Sequence, residues 1–523
     1  MKGKVYIVGA GPGNEGLITV RGLECLREAD CVIYDNLVNG VLLRHCRDDA
    51  ELIDVGKVPG KHTLPQEKIN CLLADKGRKG HCVVRLKGGD PYVFGRGGEE
   101  VQHLFQEGIP FEVIPGVTSA IAACSWAGIP VTHRGMSSLF TVVSGSTAGG
   151  DSLPDLDWAA LSRIEGTVIF LMGMANVSRI VDVLVQQGKD PLTPAAVIMW
   201  ATSGGQKVAS GPLVDIPKIA QSKRITNPAV LVIGAVVDLR QICDWWEKNP
   251  LAGERIMVVG SRRVIDGEVP HPLKQLRDLG AEVLTLPLLT ITPDRESLTR
   301  YFQTHPASSI LVFLSRNAVS TFLGFMKEMA YDVRTLCESE IVAIGEQTAR
   351  ELQASGIVPD LVPNRYDSEG LACELESMER SKDVTLITSD KGGGRLEERL
   401  RTRGFQVEIL RAYRNQADAR FQSIVQREIE RGINTAVFTS PSAFFSWCDM
   451  AQEYREKLLD SHIVAIGSVT ERAIENAGFT VAFSPKVHTL AGLVNEWLGW
   501  KGVHFSEGKN QQGKDEIHDE KER

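Results

Sequence analysis

Short apolar runs recur along the chain, separated by segments with helical apolar spacing and by glycine, proline or charge. Residues 4–13, KVYIVGAGPG, read as a buried parallel strand ending in a glycine turn. Leu17–Ala29 follows with a helical pattern, and Cys31–Tyr34 reads as the second strand. Glu51–Val55 reads as a third strand, Gln66–Lys76 as an amphipathic helix, residues 82–86 as a fourth strand, and Phe111–Ile114 as a fifth. This alternation predicts an α/β domain built on a parallel sheet. A second, more twisted half is expected from strand-like runs at Thr141–Val143, Val168–Leu171, Ala195–Met199 and Ala229–Ile233. It ends near Arg240, and the stretch Gln241–Glu254, with Asn249-Pro250 and Gly253, reads as a linker.

The pattern restarts at Arg255–Gly260 and then repeats itself. ILVFLSRNAVSTF (310–322) leads to IVAIGEQTARELQASGI, and about 120 to 125 residues on, TAVFTSPSAFFSW leads to IVAIGSVTERAIENAGF. Each copy reads as strand, small-residue turn, helix, a strand ending in Ile-Gly, and a capped helix. Such a duplication implies two related α/β lobes around a cleft. The turns Ser315-Arg316-Asn317, Ser389–Gly394 and Ser440-Pro441-Ser442 would face a ligand, and helix starts there suit anions. The tail from Lys501 to Arg523 is charged and almost free of apolar residues, so disorder is expected.

At 523 residues, about three domains are expected. A formal net charge of −8 gives no global basic field for nucleic acid. The ten cysteines are scattered without CxxC, and the histidines show no HxxxH, so neither disulfides nor a bound metal is expected. No apolar stretch approaches a membrane span, and Met1 leads almost at once into a strand, leaving no room for a secretory leader. The expected address is the cytoplasm.

The densest chemistry lies in Lys87–Glu100, KGGDPYVFGRGGEE, directly after the apolar run Val83–Leu86. Paired glycines there allow backbone to approach a ligand closely, since no Cβ intervenes. Arg96, Glu99 and Glu100 sit where a helix would begin, which suits acidic side chains. A dinucleotide site at the first turn is disfavoured. After Gly9-x-Gly11 the fingerprint requires glycine or alanine where Asn14 stands, and Pro12 removes a backbone donor. Asp35 ends the second strand and Lys57 lies in the loop after the third, both at carboxyl strand ends where open sheets bind ligands. Each is either a group for acid–base work or a solvated loop charge. Thr118 and Ser119 are ligand hydroxyls, helix caps, or both. Met172, Trp200 and Ala201 fall at strand ends, as core packing or as part of a cofactor site.

GAGPG, YDNLV, VGKVPGKHTLPQEKIN, VRLKGGDPYVFGRGGEE, IPFEVIPGVTSAIAA and AGIPVTHRG together closely resemble the uroporphyrinogen-III C-methyltransferases of the tetrapyrrole methylase family. That resemblance runs from residue 4 to about 240. Residues 255–500 resemble uroporphyrinogen-III synthase through the duplicated turns and Leu410-Arg411-Ala412-Tyr413. It implies a two-lobed tetrapyrrole methylase fold over 1–242, a linker over 243–253, and a duplicated two-lobed α/β synthase fold over 254–500 with crossovers near 288 and 414. No dehydrogenase module precedes Met1, so the trifunctional sirohaem synthase is not expected.

The resemblance further implies S-adenosylmethionine as cofactor, held by Pro12, Gly88, Gly89, Asp90, Val93, Thr118, Ser119, Met172 and Ala201. It carries proton-accepting and proton-donating roles onto Asp35 and Lys57. Arg96, near Glu99 and Arg134, matches a residue proposed as a base. A guanidinium stays cationic at neutral pH and Glu99 beside it favours the cation, so Arg96 is read rather as an anchor for substrate carboxylates, alongside Arg134. Tyr413 matches a tyrosine implicated in loss of the substrate hydroxyl, and is otherwise a strand-face aromatic. The implied reactions close hydroxymethylbilane to uroporphyrinogen III with inversion of the last ring, then methylate it twice to precorrin-2, toward sirohaem or cobalamin. A homodimer through the methyltransferase domain is implied. Two departures stand out: alanine at 201, where the family often has glycine, and Asn14-Glu15-Gly16 in place of Asp-Pro-Glu. Two other readings stay open, a related methylase acting on another substrate and a non-catalytic tetrapyrrole-binding module after residue 254.

Overall fold

The computed structural model describes residues 3–56, 64–147, 152–261, 272–304, 310–364, 368–376 and 383–503. Lys57 and the last twenty residues of the tail, 504–523, lie outside these. The chain forms two compact units, one of Met1–Leu286 with Arg420–Arg523 and one of Pro287–Ala419. No helix among the described residues is long and apolar enough to cross a membrane.

The first unit opens with β1 (Val5–Gly9), β2 (Cys31–Tyr34), β3 (Glu51–Asp54), β4 (Val83–Lys87) and β5 (Phe111–Ile114). They form a parallel sheet in the order β3-β2-β4-β1-β5. Central parallel strands are covered on both faces, so β1, β2 and β4 are buried along nearly their whole length. Val5, Ile7, Cys31 and Ile33 join Leu73 and Leu104 from the helices Gln66–Arg78 and Gly97–Gln106 in one core.

β6 (Phe140–Ser144), β7 (Thr167–Leu171), β8 (Pro194–Met199), β9 (Lys207–Pro212) and β10 (Ala229–Ile233) form a second sheet, ordered β6-β7-β10-β8-β9. Only β6 and β7 run parallel, while the other pairs are antiparallel. β9 was not foreseen. Its sequence KVASGP holds a glycine and a proline, which an edge strand tolerates because one side need not hydrogen-bond. One face is covered by helix Val177–Gln186, whose Val177, Ile180, Val181 and Leu184 follow a helical i, i+3, i+4, i+7 spacing. The other face meets helix Ser119–Trp126, which follows β5 and so joins the two sheets through Ala120, Ala123 and Cys124. The linker stretch carries buried Trp246 and Leu251, and the Trp245 indole donates to Ser125 O at 3.1 Å.

β11 (Arg255–Ser261), the first part of β12 (Glu282–Pro293), β17 (Thr435–Phe438) and β18 (His462–Ala465) complete the first unit, ordered β12-β11-β17-β18. The second unit holds the rest of β12 with β13 (Ile310–Phe313), β14 (Glu340–Ala343), β15 (Asp383–Ser389) and β16 (Gln406–Ala417), ordered β14-β13-β15-β16-β12. The sequence repeat has a geometric counterpart. Ser315 and Ser440 cap the helices after β13 and β17 with the same extended backbone, each hydroxyl accepting an amide at 3.1 Å. Such a cap contributes about 1 kcal/mol.

Glycine contacts set how closely the first turns approach each other. A Cβ on Gly9 would lie 2.6 Å from Gly116 Cα and 2.7 Å from Gly89 O. Gly116→Ala is therefore expected to destabilise the first unit by about 1–3 kcal/mol, read as a lower melting transition by calorimetry. An unchanged melting profile would refute this account of the three-turn contact.

Candidate functional site

The site is built where the parallel sheet ends. The turns after β1 and β4 exchange backbone hydrogen bonds, Gly11 N to Gly89 O at 3.2 Å and Gly89 N to Gly11 O at 2.7 Å. Gly89 takes φ +67°, a conformation that favours glycine. Asp90 ties this turn to the next: its Oδ2 accepts Gly116 N at 3.0 Å and its Oδ1 accepts Tyr92 N at 2.8 Å. Thr118 caps helix Ser119–Trp126, its hydroxyl accepting Ala120 N at 3.3 Å. A Cβ on Gly89 would sit 3.8 Å from Ser119 N, so glycine keeps the approach to that helix start open.

The loop Asp35–Gly40 lies beside these turns. Leu37 covers Gly88, where a Cβ would stand 3.1 Å from Leu37 Cβ, and Asn39 Nδ2 donates to Gly13 O at 2.7 Å. From the second sheet, Thr202 Oγ1 accepts Asn14 N at 3.1 Å, which brings Ala201 to the first turn. Val93 and Ala201 pack on the same core cluster. Met172, Trp200 and Thr202 all have left-handed backbones, with φ of 56°, 45° and 68°. Three bulky or branched residues so held mark turns fixed by their surroundings. Gly88, Gly89, Asp90, Thr118 and Ser119 therefore converge at one sheet edge, with Ala201 reaching it through its neighbour. Pro12 lies in the first of these turns, and Met172 closes β7.

The charged residues divide. Asp35 is partly buried, and its Oδ1 accepts Arg85 Nη2 at 2.6 Å. Arg85 Nε and Lys87 Nζ reach Glu100 Oε1 at 3.0 and 2.9 Å, and Gln66 Nε2 donates to the same oxygen at 3.1 Å. Arg85, Lys87 and Glu100 are all nearly inaccessible to solvent. Residues two apart on a strand share a face, so both cations of β4 point the same way. Opposite them β2 pairs Ile33 with Arg85, which puts Asp35 level with Lys87. Burial pulls the Arg85 guanidinium down, but Asp35 and Glu100 outweigh it and hold the group above its ordinary value. For Lys87, burial and the neighbouring Arg85 prevail and lower its pKa despite Glu100.

Arg96 and Glu99 form a separate, exposed pair with a two-pronged contact at 2.8 and 2.7 Å. The hydrogen bond to Glu99 raises the Arg96 pKa and lowers that of Glu99. Arg134 is exposed in the turn His133–Ser137, and among the described residues no hydrogen bond or ion pair joins it to Arg96 or Glu99. In the second unit, Tyr413 is buried on β16 with its hydroxyl 3.0 Å from Ser315 Oγ. Burial raises its pKa, against hydrogen bonds to Ser315, Asn317 and Ser389. The tyrosine also belongs to the apolar core around Phe313 and Phe322, so packing and polar contact coexist. Among the described residues no cluster suited to a metal occurs.

Sequence reasoning passed over Arg85 because it treated Val83–Leu86 as an apolar run, and it named Lys87 only as the start of the glycine-rich segment, without a buried partner. The available signal was two cations two residues apart in a central strand, a placement that demands a buried anion. Glu100→Gln is expected to cost about 3–5 kcal/mol by leaving those cations short of a partner. Arg96→Ala, breaking an exposed pair, is expected to change stability by about 1 kcal/mol or less. Equal melting temperatures for the two variants would contradict this division.

Comparison with known proteins gives a consistent result. Residues 4–217 match the model for Tetrapyrrole (Corrin/Porphyrin) Methylases, and residues 273–495 that for Uroporphyrinogen-III synthase HemD. A uroporphyrinogen-III C-methyltransferase of Bacillus subtilis (strain 168) is 41% identical over 392 residues, 73% of this chain and 79% of the relative. The porphyrin biosynthesis protein HemD of Ruminiclostridium josui is 32% identical over 503 residues, 95% of this chain and 98% of the relative. The crystal structure of uroporphyrin III C-methyl transferase from Thermus thermophilus is 39% identical, covers 45% of this chain and 100% of its own, and has a TM-score of 0.39.

Proposed function

This chain belongs to the uroporphyrinogen-III C-methyltransferases of the tetrapyrrole methylase family, continued in the same polypeptide by a uroporphyrinogen-III synthase, and we propose that it catalyses both consecutive steps. The synthase step closes hydroxymethylbilane with loss of water and inverts the last ring. The methylase step moves two methyl groups to pyrrole carbons of uroporphyrinogen III, giving precorrin-2 for sirohaem or cobalamin. We assign the first activity in chain order to residues 1–242 and the second to 254–500, in a cytoplasmic homodimer joined through the methyltransferase domain.

The observation that carries the methylase reading is the packing of Leu37, two residues after Asp35, on the Gly88–Gly89 turn, which Asp90 ties to the turn before the Thr118–Ser119 helix start. Glycine backbones there would hold S-adenosylmethionine, which when bound would supply an electrophilic methyl on its sulfonium. Pro12, Asp90, Val93, Met172 and Ala201 would complete its contacts. Arg85 orients Asp35, and the Asp35 carboxylate takes the proton that leaves the macrocycle. Lys57 is assigned the complementary donor role. Glu99 keeps Arg96 cationic, so Arg96 anchors a substrate carboxylate rather than removing a proton, and Arg134 supplies a second anchor.

In the synthase, the protein must hold a flexible polyacid in one conformation, an orientation role served by turns rich in backbone donors. Tyr413, kept protonated by burial, donates to the departing hydroxyl, with Ser315 fixing its direction.

Anaerobic incubation of the full chain with fresh hydroxymethylbilane tests both steps. Type III uroporphyrin without S-adenosylmethionine, and a doubly methylated product with it, are expected. Formation of type I isomer alone would refute the synthase. Arg96→Ala is expected to lose methylation while still binding S-adenosylmethionine in calorimetry, and normal turnover would remove it from the site. Tyr413→Phe is expected to slow ring closure by about 10²-fold or more while methylation of supplied uroporphyrinogen III is unchanged.

A further inference from the structure

Helix Gln422–Glu430 and Arg431, which belong to the synthase part of the sequence, meet the loop Asp35–Gly40 within the first unit. Arg431 Nη2 donates to Asn36 O and Arg427 Nη2 to Val38 O, both at 3.3 Å. Tyr34 and Ser423 place their hydroxyls 3.4 Å apart, and any Cβ on Gly40 would collide with Ile424. The Arg431 guanidinium also stacks 4.2 Å above the Trp200 ring, whose left-handed backbone precedes Ala201.

These cations are themselves held. Glu428, buried beneath them, accepts Arg431 Nη1 at 3.1 Å and Arg255 Nη2 at 2.7 Å. Arg255 Nε binds Glu282 Oε2 at 2.8 Å, and that oxygen also accepts Gly204 N at 2.9 Å. A Cβ on Gly204 would come 2.6 Å from Arg255 Cγ. One charged cluster of the synthase part thus grips both ends of the proposed methylase site, the segment after Asp35 and the turn around Ala201.

Resting on the methylase reading above, we propose that Arg427 and Arg431 are positioning residues for methyl transfer. They fix the carbonyls that follow Asp35 and, through Trp200, the cofactor turn. The methylase of this chain therefore depends on side chains of its synthase neighbour. Catalysis is sensitive to small displacements of positioned groups, about 10²-fold for 1 Å.

The test uses the full chain with uroporphyrinogen III supplied directly, so that ring closure is not needed for methylation. Arg431→Lys keeps a cation beside Glu428 but loses the planar fork that stacks and donates at once. Arg427→Gln is the second variant and leaves the Glu428–Arg255 pair intact. Both are expected to retain wild-type ring closure of hydroxymethylbilane, measured on the same samples. Methylation kcat is expected to fall about 10- to 100-fold in both, and KM for S-adenosylmethionine to rise only in Arg431→Lys. Unchanged methylation kcat and KM in both variants would overturn the proposal. So would parallel loss of both activities with a lowered melting transition, the signature of domain packing alone. A wild-type chain that fails to methylate would instead refute the methylase reading itself.

Discussion

Two cations on β4, Arg85 and Lys87, cannot remain in a buried sheet without anions, and the placing of Asp35 and of helix Gly97–Gln106 in the proposed methylase site follows from how that demand is met. Glu100 enters from the first turn of the next helix, and Asp35 enters from the end of β2. Each contact fixes more than a charge. Glu100 sets how helix Gly97–Gln106 lies against the sheet, and so where the preceding Arg96 turn stands. Asp35 receives its direction from a guanidinium that solvent hardly reaches, so the proposed acceptor is oriented before substrate arrives. Burying a network of this kind gives little net stability, and its gain lies in geometry.

The glycine contacts depend on the same frame. Gly9, Gly89 and Gly116 touch backbone to backbone only because β1, β4 and β5 are adjacent and in register. A side chain on Gly9 or Gly116 would separate the strand ends and with them the turn bridged by Asp90, while Gly89 is held to glycine by its left-handed backbone. Three positions outside glycine, Met172, Trp200 and Thr202, also adopt left-handed backbones at the facing sheet edge. The strain is borne by neighbouring packing, including the Arg431 stack on Trp200.

Much of this was legible in sequence. Strand ends and glycine turns announced the sheet edge, and the repeat over 310–322 and 435–447 announced two equivalent strand–turn–helix units, whose turn serines were read as ligand-facing and stand as helix caps. β9 escaped because KVASGP lacks an alternating pattern and carries the residues that usually exclude a strand. Arg85 escaped because periodicity arguments average over a single charge in an apolar run. The contacts of Arg427 and Arg431 with Val38 and Asn36 join residues almost 400 positions apart, and neither carbonyl leaves any trace in the identity of its residue. Side chains read from a sequence reveal which donors exist, not which backbone oxygens they choose.

The two copies of the repeat have also diverged in their surroundings. The cap Ser315 meets the hydroxyl of Tyr413 in the second unit, whereas Ser440 heads a helix in the unit shared with the methylase. A boundary drawn by ancestry therefore differs from one drawn by cohesion. Gly40 and Gly204 both press against the synthase part so closely that neither leaves room for a Cβ. Severing the chain after residue 254 would leave those surfaces shaped for a partner no longer tethered.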